Sequence, residues 1–457
     1  MKFFKTNLKF KILLLVLALL LTSGFQCKCV SFEVREKLNP VTLEFWGVWD
    51  NSDVFKNIIS EYNKIHPNIS IQYKKLRYEE YENALLNAWV EGKGPDIFSI
   101  HNTWTAKYKN KIAYLPKEIE LPYVSYKPPL PGCERATEQV IENKKNTSPL
   151  VSDIKNDYVD AVYYDVVFKD EKGKSQIYAL PLFLDTLVLF YNRDLLDSAN
   201  IVFPPADWDE FSEDVRILTK YDVNREIIQS GTAMGTFDNI ERPLDILSLL
   251  MLQNGVNLDS LTSKNYFQRT LEALNFYLDF ASPEREVYSW NNDMPNSLDA
   301  FAQGKVAFFF GYSYHIPLLQ SKAPALDFKI APIPQVNLGN PVNYANYWTH
   351  TVFKRSEHAS EAWNFILFMS EKENVKKYLK KTNRPTALRS LIEEQKSDLR
   401  IKPFVDQVLT ADCWHGYKKF NYIEIVFQEM FDKIYNDEDI DSQKALKSIR
   451  EKIYRAK

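Results

Sequence analysis

Residues 41–48 read VTLEFWGV, in which apolar and polar side chains alternate as they do in a β-strand. The pattern that follows predicts a helix over Asp53–Lys64, a strand over Ile69–Leu76, a helix over Tyr78–Glu91 and a strand over Asp96–Ile100. This β-α-β-α-β order predicts a parallel sheet covered by helices on both faces, and therefore an α/β fold. Ligands of such sheets bind at the carboxyl ends of the strands.

The size and composition of the chain limit the number of domains and the classes of function that are possible. Its 457 residues are too many for one ordinary core and predict two lobes or domains. The 45% of hydrophobic and 26% of charged residues are typical of a folded globular protein. A net charge of −3 lacks the basic excess that nucleic-acid binding requires, so no nucleic-acid partner is expected. Aromatic residues make up 14% of the chain, enough to contribute both to the core and to a candidate binding surface.

The first residues have the layout of an export signal. Four lysines precede an unbroken apolar stretch, Ile12–Leu21, and small residues follow it. Ten apolar residues are too short to span a bilayer comfortably, so a permanent anchor is disfavoured. Leu21 lies six residues before Cys27, farther than in a bacterial lipobox. Two outcomes stay open within residues 1–29: lipid attachment at Cys27, or simple cleavage near Gly24.

The sequence lacks common motifs of catalysis and metal binding. GxSxG, HExxH, GxxxxGK[ST] and GxGxxG are all missing, and the six histidines do not have metal-ligand spacing. We therefore expect no metal and no cofactor. Cys133 and Cys413 could form a disulfide in an oxidising compartment or remain free thiols. The proline-punctuated residues 116–150 are predicted to be a long irregular insertion or surface loop.

Three blocks of sequence carry a family resemblance. They are GKGPDI at 92–97; then YALP at 178–181, YNRDL at 191–195 and PPADWDEF at 204–211; then FAQGKVA at 301–307 and APIP at 331–334. In this order, behind an export signal, they resemble the extracellular solute-binding proteins of ABC importers. The closest branch is the maltose-binding-protein-like, carbohydrate-binding one. The resemblance runs from about Val41 to the C-terminus, and residues 116–150 are not part of it.

The resemblance implies a two-lobed periplasmic-binding-protein type II fold with a central ligand cleft. Each lobe would be discontinuous, because the chain should cross between them near Phe183–Thr186, near Ala345–Thr351 and near 390–398. The N-terminal lobe would comprise 41–184 and 350–395, and the C-terminal lobe 186–347 and 398–457. Ligand binding would shift an open–closed equilibrium by a hinge motion.

A sugar site needs aromatic rings that stack on C–H faces, and carboxylates or amides that bond hydroxyl groups. Candidates at the ends of the first and third strands are Trp46, Trp49, Asp50, His101, Asn102 and Trp104. Asp185 interrupts an apolar run, where an unpaired carboxylate is costly to bury. The resemblance adds weight to Asp50 and Asp185, matches Tyr314 to a stacking ring, and places four further residues at the cleft: Trp290, Asn346, Trp348 and Tyr417.

These features predict an exported, monomeric substrate-binding protein that captures a carbohydrate, such as an oligosaccharide, and delivers it to membrane permease subunits. It would act outside the cytoplasmic membrane, in the periplasm or at the cell surface, and would not be an enzyme. Two alternatives remain. A secreted glycoside hydrolase or lyase also mixes aromatic residues with carboxylates, although it needs a defined carboxyl pair. A ligand-reporting partner of a membrane sensor would use the same fold.

Overall fold

The structure is a computed structural model that describes residues 38–127, 138–415, 420–437 and 439–456. The strands of these residues are, in chain order, β1 Val41–Gly47, β2 Ile69–Lys75, β3 Ile97–His101, β4 Ile112–Ala113, β5 Glu118–Lys127, β6 Glu138–Thr147, β7 Val167–Lys169, β8 Ser175–Ile177, β9 Leu180–Pro181, β10 Asp185–Thr186, β11 Val188–Asn192, β12 Lys220–Tyr221, β13 Ile227–Thr232, β14 Val306–Gly311, β15 Phe328–Ala331, β16 Asn343–Asn346, β17 Trp348–Phe353 and β18 Ala411–Asp412.

The α-helices of the same residues are α1 Ser52–Ile65, α2 Tyr78–Glu91, α3 Trp104–Tyr108, α4 Val151–Asp157, α5 Asp160–Val166, α6 Arg193–Ser198, α7 Trp208–Leu218, α8 Pro243–Gln253, α9 Leu258–Leu261, α10 Phe267–Asp279, α11 Ser297–Ala302, α12 His315–Lys322, α13 Ala359–Ser370, α14 Lys372–Thr382, α15 Ile392–Gln395, α16 Lys402–Gln407, α17 Phe420–Asn436 and α18 Ser442–Ala456. Within the described part of the chain, no helix combines the length and the apolar character needed to cross a membrane.

The first sheet is the centre of what we call the N-terminal lobe. Its strand order is β2-β1-β3-β17-β4, and β9 pairs with β17. β1 is parallel to β2 and β3, as the alternating pattern of the sequence predicts, whereas the late strand β17 is antiparallel to β3. The five predicted elements of this region are confirmed, with ends within about two residues of the predictions. Gly92 ends α2 with a φ of 72°, a conformation that glycine adopts without strain.

A second sheet is the centre of the C-terminal lobe. Its order is β12-β13-β14-β11-β15, with β14 parallel to β13 and antiparallel to β11. β14 is buried along its whole length, because α7 and α11 pack against the sheet. The side chain of Asp207 accepts hydrogen bonds from the backbone N–H groups of Asp209 and Glu210 at the start of α7, as expected of an N-cap. The two sheets confirm the predicted two-lobed α/β fold.

A third, three-stranded sheet connects the lobes. It has the order β10-β16-β18, and each strand directly precedes or follows an element of a lobe. Asp185 pairs with Asn346, and Asn343 pairs with Ala411. The hydroxyl of Thr186 donates to the carbonyl of Phe404 in α16, at 3.1 Å. The three strands therefore lie side by side next to elements of both lobes.

Residues 116–150 are not the irregular loop that the sequence predicts. β5 and β6 form an antiparallel ladder from the pair Glu118–Thr147 to the pair Lys127–Glu138. Ile119, Leu121 and Val124 are buried, and the ribbon packs against α1 and α13. The prolines obscure the alternation of apolar and polar residues in the sequence. Pro122 is tolerated in β5 because a strand with a free edge does not need a hydrogen bond from every backbone N–H group. Three of those prolines lie in 128–137, outside the described residues.

Candidate functional site

Aromatic rings from the two lobes meet beyond the end of β1. The ring of Trp49 lies nearly parallel to that of Tyr314, with centroids 6.3 Å apart and planes at 10°. Trp49 also stacks on Tyr78 at 5.5 Å and meets the edge of Trp348 at 6.1 Å. Trp49 and Tyr314 remain 48% and 38% exposed. The two lobes thus present accessible ring faces to each other.

Local structure fixes each ring of this pair. Lys75 Nζ donates to the carbonyl of Trp49 and to Asn51 Oδ1, at 3.0 and 2.9 Å, and so secures the loop after β1. Tyr314 lies at the start of α12, where its ring stacks on that of Tyr312 at 5.9 Å. The rings are consequently positioned before any ligand binds, which lowers the entropic cost of binding.

Behind the exposed pair lies a buried aromatic layer centred on Trp348. This ring is 7% exposed and packs edge-on against Trp104, His101 and Tyr81, with centroids 5.6, 5.7 and 6.0 Å away. Trp348 begins β17 and Trp104 follows β3, so the pairing of these strands brings the rings together. The layer supports the exposed rings and excludes water from beneath them.

A chain of hydrogen bonds runs beside the rings from one lobe to the other. Asn346 Nδ2 donates to the Asp245 carboxylate at 3.1 Å, so its Oδ1 accepts from His101 Nε2 at 3.2 Å. His101 Nδ1 then accepts from the Thr103 hydroxyl at 2.8 Å. Burial, together with the nearby positive charge of Arg242, lowers the pKa of His101 to about 4. His101 is therefore a neutral imidazole at physiological pH.

Asp245 is the acidic centre of this chain. It is buried on α8 and accepts hydrogen bonds from Arg242 Nε at 2.8 Å and from the Tyr312 hydroxyl at 2.6 Å. Arg242 itself is partly exposed and has a left-handed φ of 57°. Such backbone strain in a residue other than glycine often accompanies a functional position. Sequence reasoning missed Asp245, Arg242 and Tyr78.

Two predicted carboxylates are bound to internal partners. Asp50 Oδ1 lies 3.0 Å from Arg384 Nη1, and its Oδ2 accepts from the Tyr378 hydroxyl at 2.8 Å. Asp185 is 3% exposed and accepts from the N–H and the hydroxyl of Ser313 at 3.0 and 2.6 Å. Neither carboxylate faces the ring pair freely. The structure therefore does not present Asp50 and Asp185 as an acid and a base across a substrate bond.

The other predicted residues are dispersed. Trp46 is half-buried on β1, with Lys74 Nζ 4.9 Å from its ring centroid. Asn102 is buried and donates to Asp165 Oδ2 at 2.9 Å. The prediction that Trp290 lies at the cleft is wrong, because it is wholly buried in the C-terminal lobe and donates to Asn239. Cys413 is a buried free thiol. The predicted positions Tyr417, Cys27 and Cys133 lie outside the described residues.

The buried carboxyl group of Asp185 predicts a specific pH dependence of stability. Burial raises its pKa from 3.8 to about 7, against the opposing effect of the Ser313 hydrogen bonds and the charge of Arg384. The folded state therefore holds the proton more tightly than the unfolded state, and stability should fall as the pH rises from about 4 to 7. At about 1.4 kcal/mol per pKa unit, the loss approaches ~4 kcal/mol.

We expect Asp185→Asn to remove this loss. The variant should be more stable than the parent above pH 7 and no more stable near pH 4, as measured by urea unfolding at both pH values. Asp194→Asn, at an exposed position of α6, is the matched control and should leave the profile unchanged. Identical pH profiles for the parent and Asp185→Asn would show that Asp185 does not titrate in this range.

Comparison with known proteins places the chain in a family. The family model of bacterial extracellular solute-binding proteins matches residues 57–400. A binding protein of Brucella abortus is 26% identical over 204 residues, which cover 43% of this chain and 47% of that protein. The chain thus matches about half the length of that relative. The multiple sugar-binding protein of Streptococcus mutans is 20% identical over 395 residues, 83% of each chain.

Solved structures share the fold. A cyclic α-maltosyl-1,6-maltose binding protein from Arthrobacter globiformis superposes with a TM-score of 0.68 at 17% identity, covering 91% of this chain and 99% of that one. A solute-binding protein of Thermotoga lettingae, bound to α-D-tagatose, gives a TM-score of 0.65 at 19% identity over 91% and 99%. Since the family model spans most of the chain, this protein is a member of the bacterial extracellular solute-binding protein family.

Proposed function

We propose that this protein captures a carbohydrate between its two lobes. The observation that carries the proposal is the pair of exposed, nearly parallel rings, Trp49 and Tyr314, which face each other from opposite lobes. Flat rings bind the C–H face of a sugar, and the adjacent His101–Asn346–Asp245 chain offers neutral and acidic groups for its hydroxyls. The exposed faces of these two aromatic rings favour a saccharide ligand over an ion or a small charged solute.

The proposal includes a hinge motion. The ring centroids are only 6.3 Å apart, which leaves no room for a sugar between the two rings, so a ligand enters only if the lobes part and then closes them around itself. We place the hinge in the three crossing segments, at β10, between β16 and β17, and near 390–398, with the N-terminal lobe comprising 41–184 and 350–395 and the C-terminal lobe 186–347 and 398–457. Trp46, Trp348 and Trp104 belong to the proposed cleft or its support, whereas Asp50 and Asp185 bind internal partners.

The wider role that we propose is import. The family is extracellular, and the names of two similar proteins, in Streptococcus mutans and Arthrobacter globiformis, refer to sugar ligands. The lysine-rich, apolar N-terminus supports export through residues 1–29, followed by cleavage near Gly24 or lipid attachment at Cys27. A closed, loaded monomer would then dock on the permease subunits of an ABC importer.

The decisive experiment is a tryptophan-fluorescence titration of the mature chain with mono- and oligosaccharides. Trp49 is one of the two rings that the sugar is proposed to contact, so binding should produce a saturable change in emission, with the sugar recovered intact. A flat response to every saccharide would overturn the sugar assignment and leave the family and fold unaffected. Recovery of cleaved products would overturn the transport role in favour of a carbohydrate-active enzyme.

A further inference from the structure

A cluster of Asp165, Cys413 and His415 lies outside the proposed sugar site, and we call it the Asp–Cys–His cluster. Asp165 belongs to α5, whereas Cys413 and His415 directly follow β18 of the connecting sheet. Asp165 is fully buried, Cys413 is 2% exposed, and the His415 side chain retains 21% exposure at one edge. The cluster therefore joins α5 to the segment that follows β18, and solvent reaches it from one side.

The three side chains aim their donor atoms at one another. His415 Nδ1 lies 2.7 Å from Asp165 Oδ1 and 3.2 Å from Cys413 Sγ, and Sγ lies 3.3 Å from Asp165 Oδ2. Tetrahedral zinc ligands are about 3.3 to 3.8 Å apart, given zinc–ligand bonds of about 2.0 to 2.3 Å. An outward movement of less than about 1 Å would make these three atoms ligands of one ion.

The surroundings match a metal site beyond these ligands. The second ring nitrogen of His415, Nε2, lies 2.6 Å from Asp412 Oδ1. A carboxylate on the distal nitrogen is the arrangement that orients a metal-bound imidazole and raises its basicity. The Tyr347 hydroxyl donates to Asp165 Oδ2 at 2.7 Å and fixes the carboxylate in the same way.

Asn102 supplies a fourth donor. Its Nδ2 lies 2.9 Å from Asp165 Oδ2 and 3.2 Å from Cys413 Sγ. Its Oδ1 is buried and accepts no hydrogen bond within the described part of the chain. Rotation of the amide by half a turn places Oδ1 where Nδ2 now lies, beside both other ligands. That rotation is unfavourable beside a bare carboxylate and favourable beside a cation.

We propose that the Asp–Cys–His cluster, completed by Asn102, binds one divalent transition metal of the zinc class. A thiolate, an imidazole and two oxygens suit zinc, cobalt or cadmium, whereas calcium and magnesium require oxygen ligands throughout. On binding, the Cys413 thiol loses its proton to solvent and His415 Nδ1 gives up its hydrogen to become a ligand. The metal then ties α5 to the segment after β18 and restricts the relative motion of the lobes.

The test is a cobalt and zinc titration of the full-length mature protein. We expect one Co²⁺ per chain, with the near-ultraviolet thiolate-to-cobalt band and intense visible bands of a tetrahedral site, and displacement of both by Zn²⁺. Cys413→Ser should remove the near-ultraviolet band. Asp412→Asn, at the partly exposed edge, should keep the band and weaken zinc binding roughly 10- to 100-fold.

A control variant separates this site from other ligands. His358→Ala removes one residue of a ligating type elsewhere in the chain and should leave the spectrum and the affinity unchanged. A thiolate band that survives in Cys413→Ser, or cobalt bound without any thiolate band in the parent, would overturn the proposal. The cluster would then be an internal ion pair between Asp165 and His415, with the thiol as a neutral neighbour.

Discussion

Trp49→Ala should weaken saccharide binding about 30-fold or more while leaving the protein folded. Truncation of an anchoring Trp at a binding site commonly costs about 2 kcal/mol or more, which corresponds to roughly that factor in Kd. The Trp49 ring is 48% exposed, so its removal uncovers little core. Isothermal titration calorimetry with the best saccharide from the fluorescence panel would measure the change, alongside a thermal melt as a check on folding.

Two controls sharpen this prediction. Trp49→Phe retains a flat ring and should recover much of the affinity, whereas Tyr114→Ala removes a ring of similar exposure away from the cleft and should change nothing. If Trp49→Ala bound sugar as tightly as the parent, the facing rings would not be the binding surface, and the proposed function would lose the observation on which it rests.

Arg384→Met should cause the largest loss of stability of any substitution considered for this protein. Arg384 and Asp50 are each 12% exposed and form an ion pair at 3.0 Å, and the guanidinium lies 4.3 Å from the ring centroid of Phe183. Removing one partner of a buried pair leaves the other charge uncompensated and costs about 3 to 5 kcal/mol. The positive charge also opposes the burial cost of ionising Asp185. Urea unfolding at pH 7 would measure the change.

The matched control is Arg400→Met. Arg400 pairs with Asp398 at 2.8 Å, but its side chain is 72% exposed, so the expected cost is below about 1 kcal/mol. The double variant Asp50→Asn with Arg384→Met should recover part of the lost stability, because no bare charge remains at that position. Equal destabilisation by Arg384→Met and Arg400→Met would mean that the buried pair contributes no more than a surface pair.

Much of the N-terminal lobe could be predicted because its signals are local. The alternation in 41–48 and the helical faces of α1 and α2 depend on residues a few positions apart, and the structure reproduces them. The two sheets and the family could also be predicted, because short blocks of sequence indicate them. The β5–β6 ribbon was missed because its apolar alternation is interrupted by prolines.

The polar half of the site could not be predicted for a different reason. Asp245 lies in an almost wholly apolar helix, and its partners Tyr312 and Asn346 are 67 and 101 positions away in sequence. The ligands of the Asp–Cys–His cluster are similarly dispersed, with 248 positions between Asp165 and Cys413, so a search for local metal motifs could not find them. Such groups meet only after the lobes have assembled.

The pairing of β3 with β17 also determines when this chain can fold. Ser99 bonds to His350 across that pair, although 251 positions separate them in sequence. Contacts of such long range form slowly, because a large loop must close before any of them is gained. The first sheet therefore cannot be completed until synthesis has passed residue 353, because β4 and β9 have no partner in it before β17 is made. A narrow secretion channel accepts an unfolded chain, so this late completion of the first sheet suits the export that we propose.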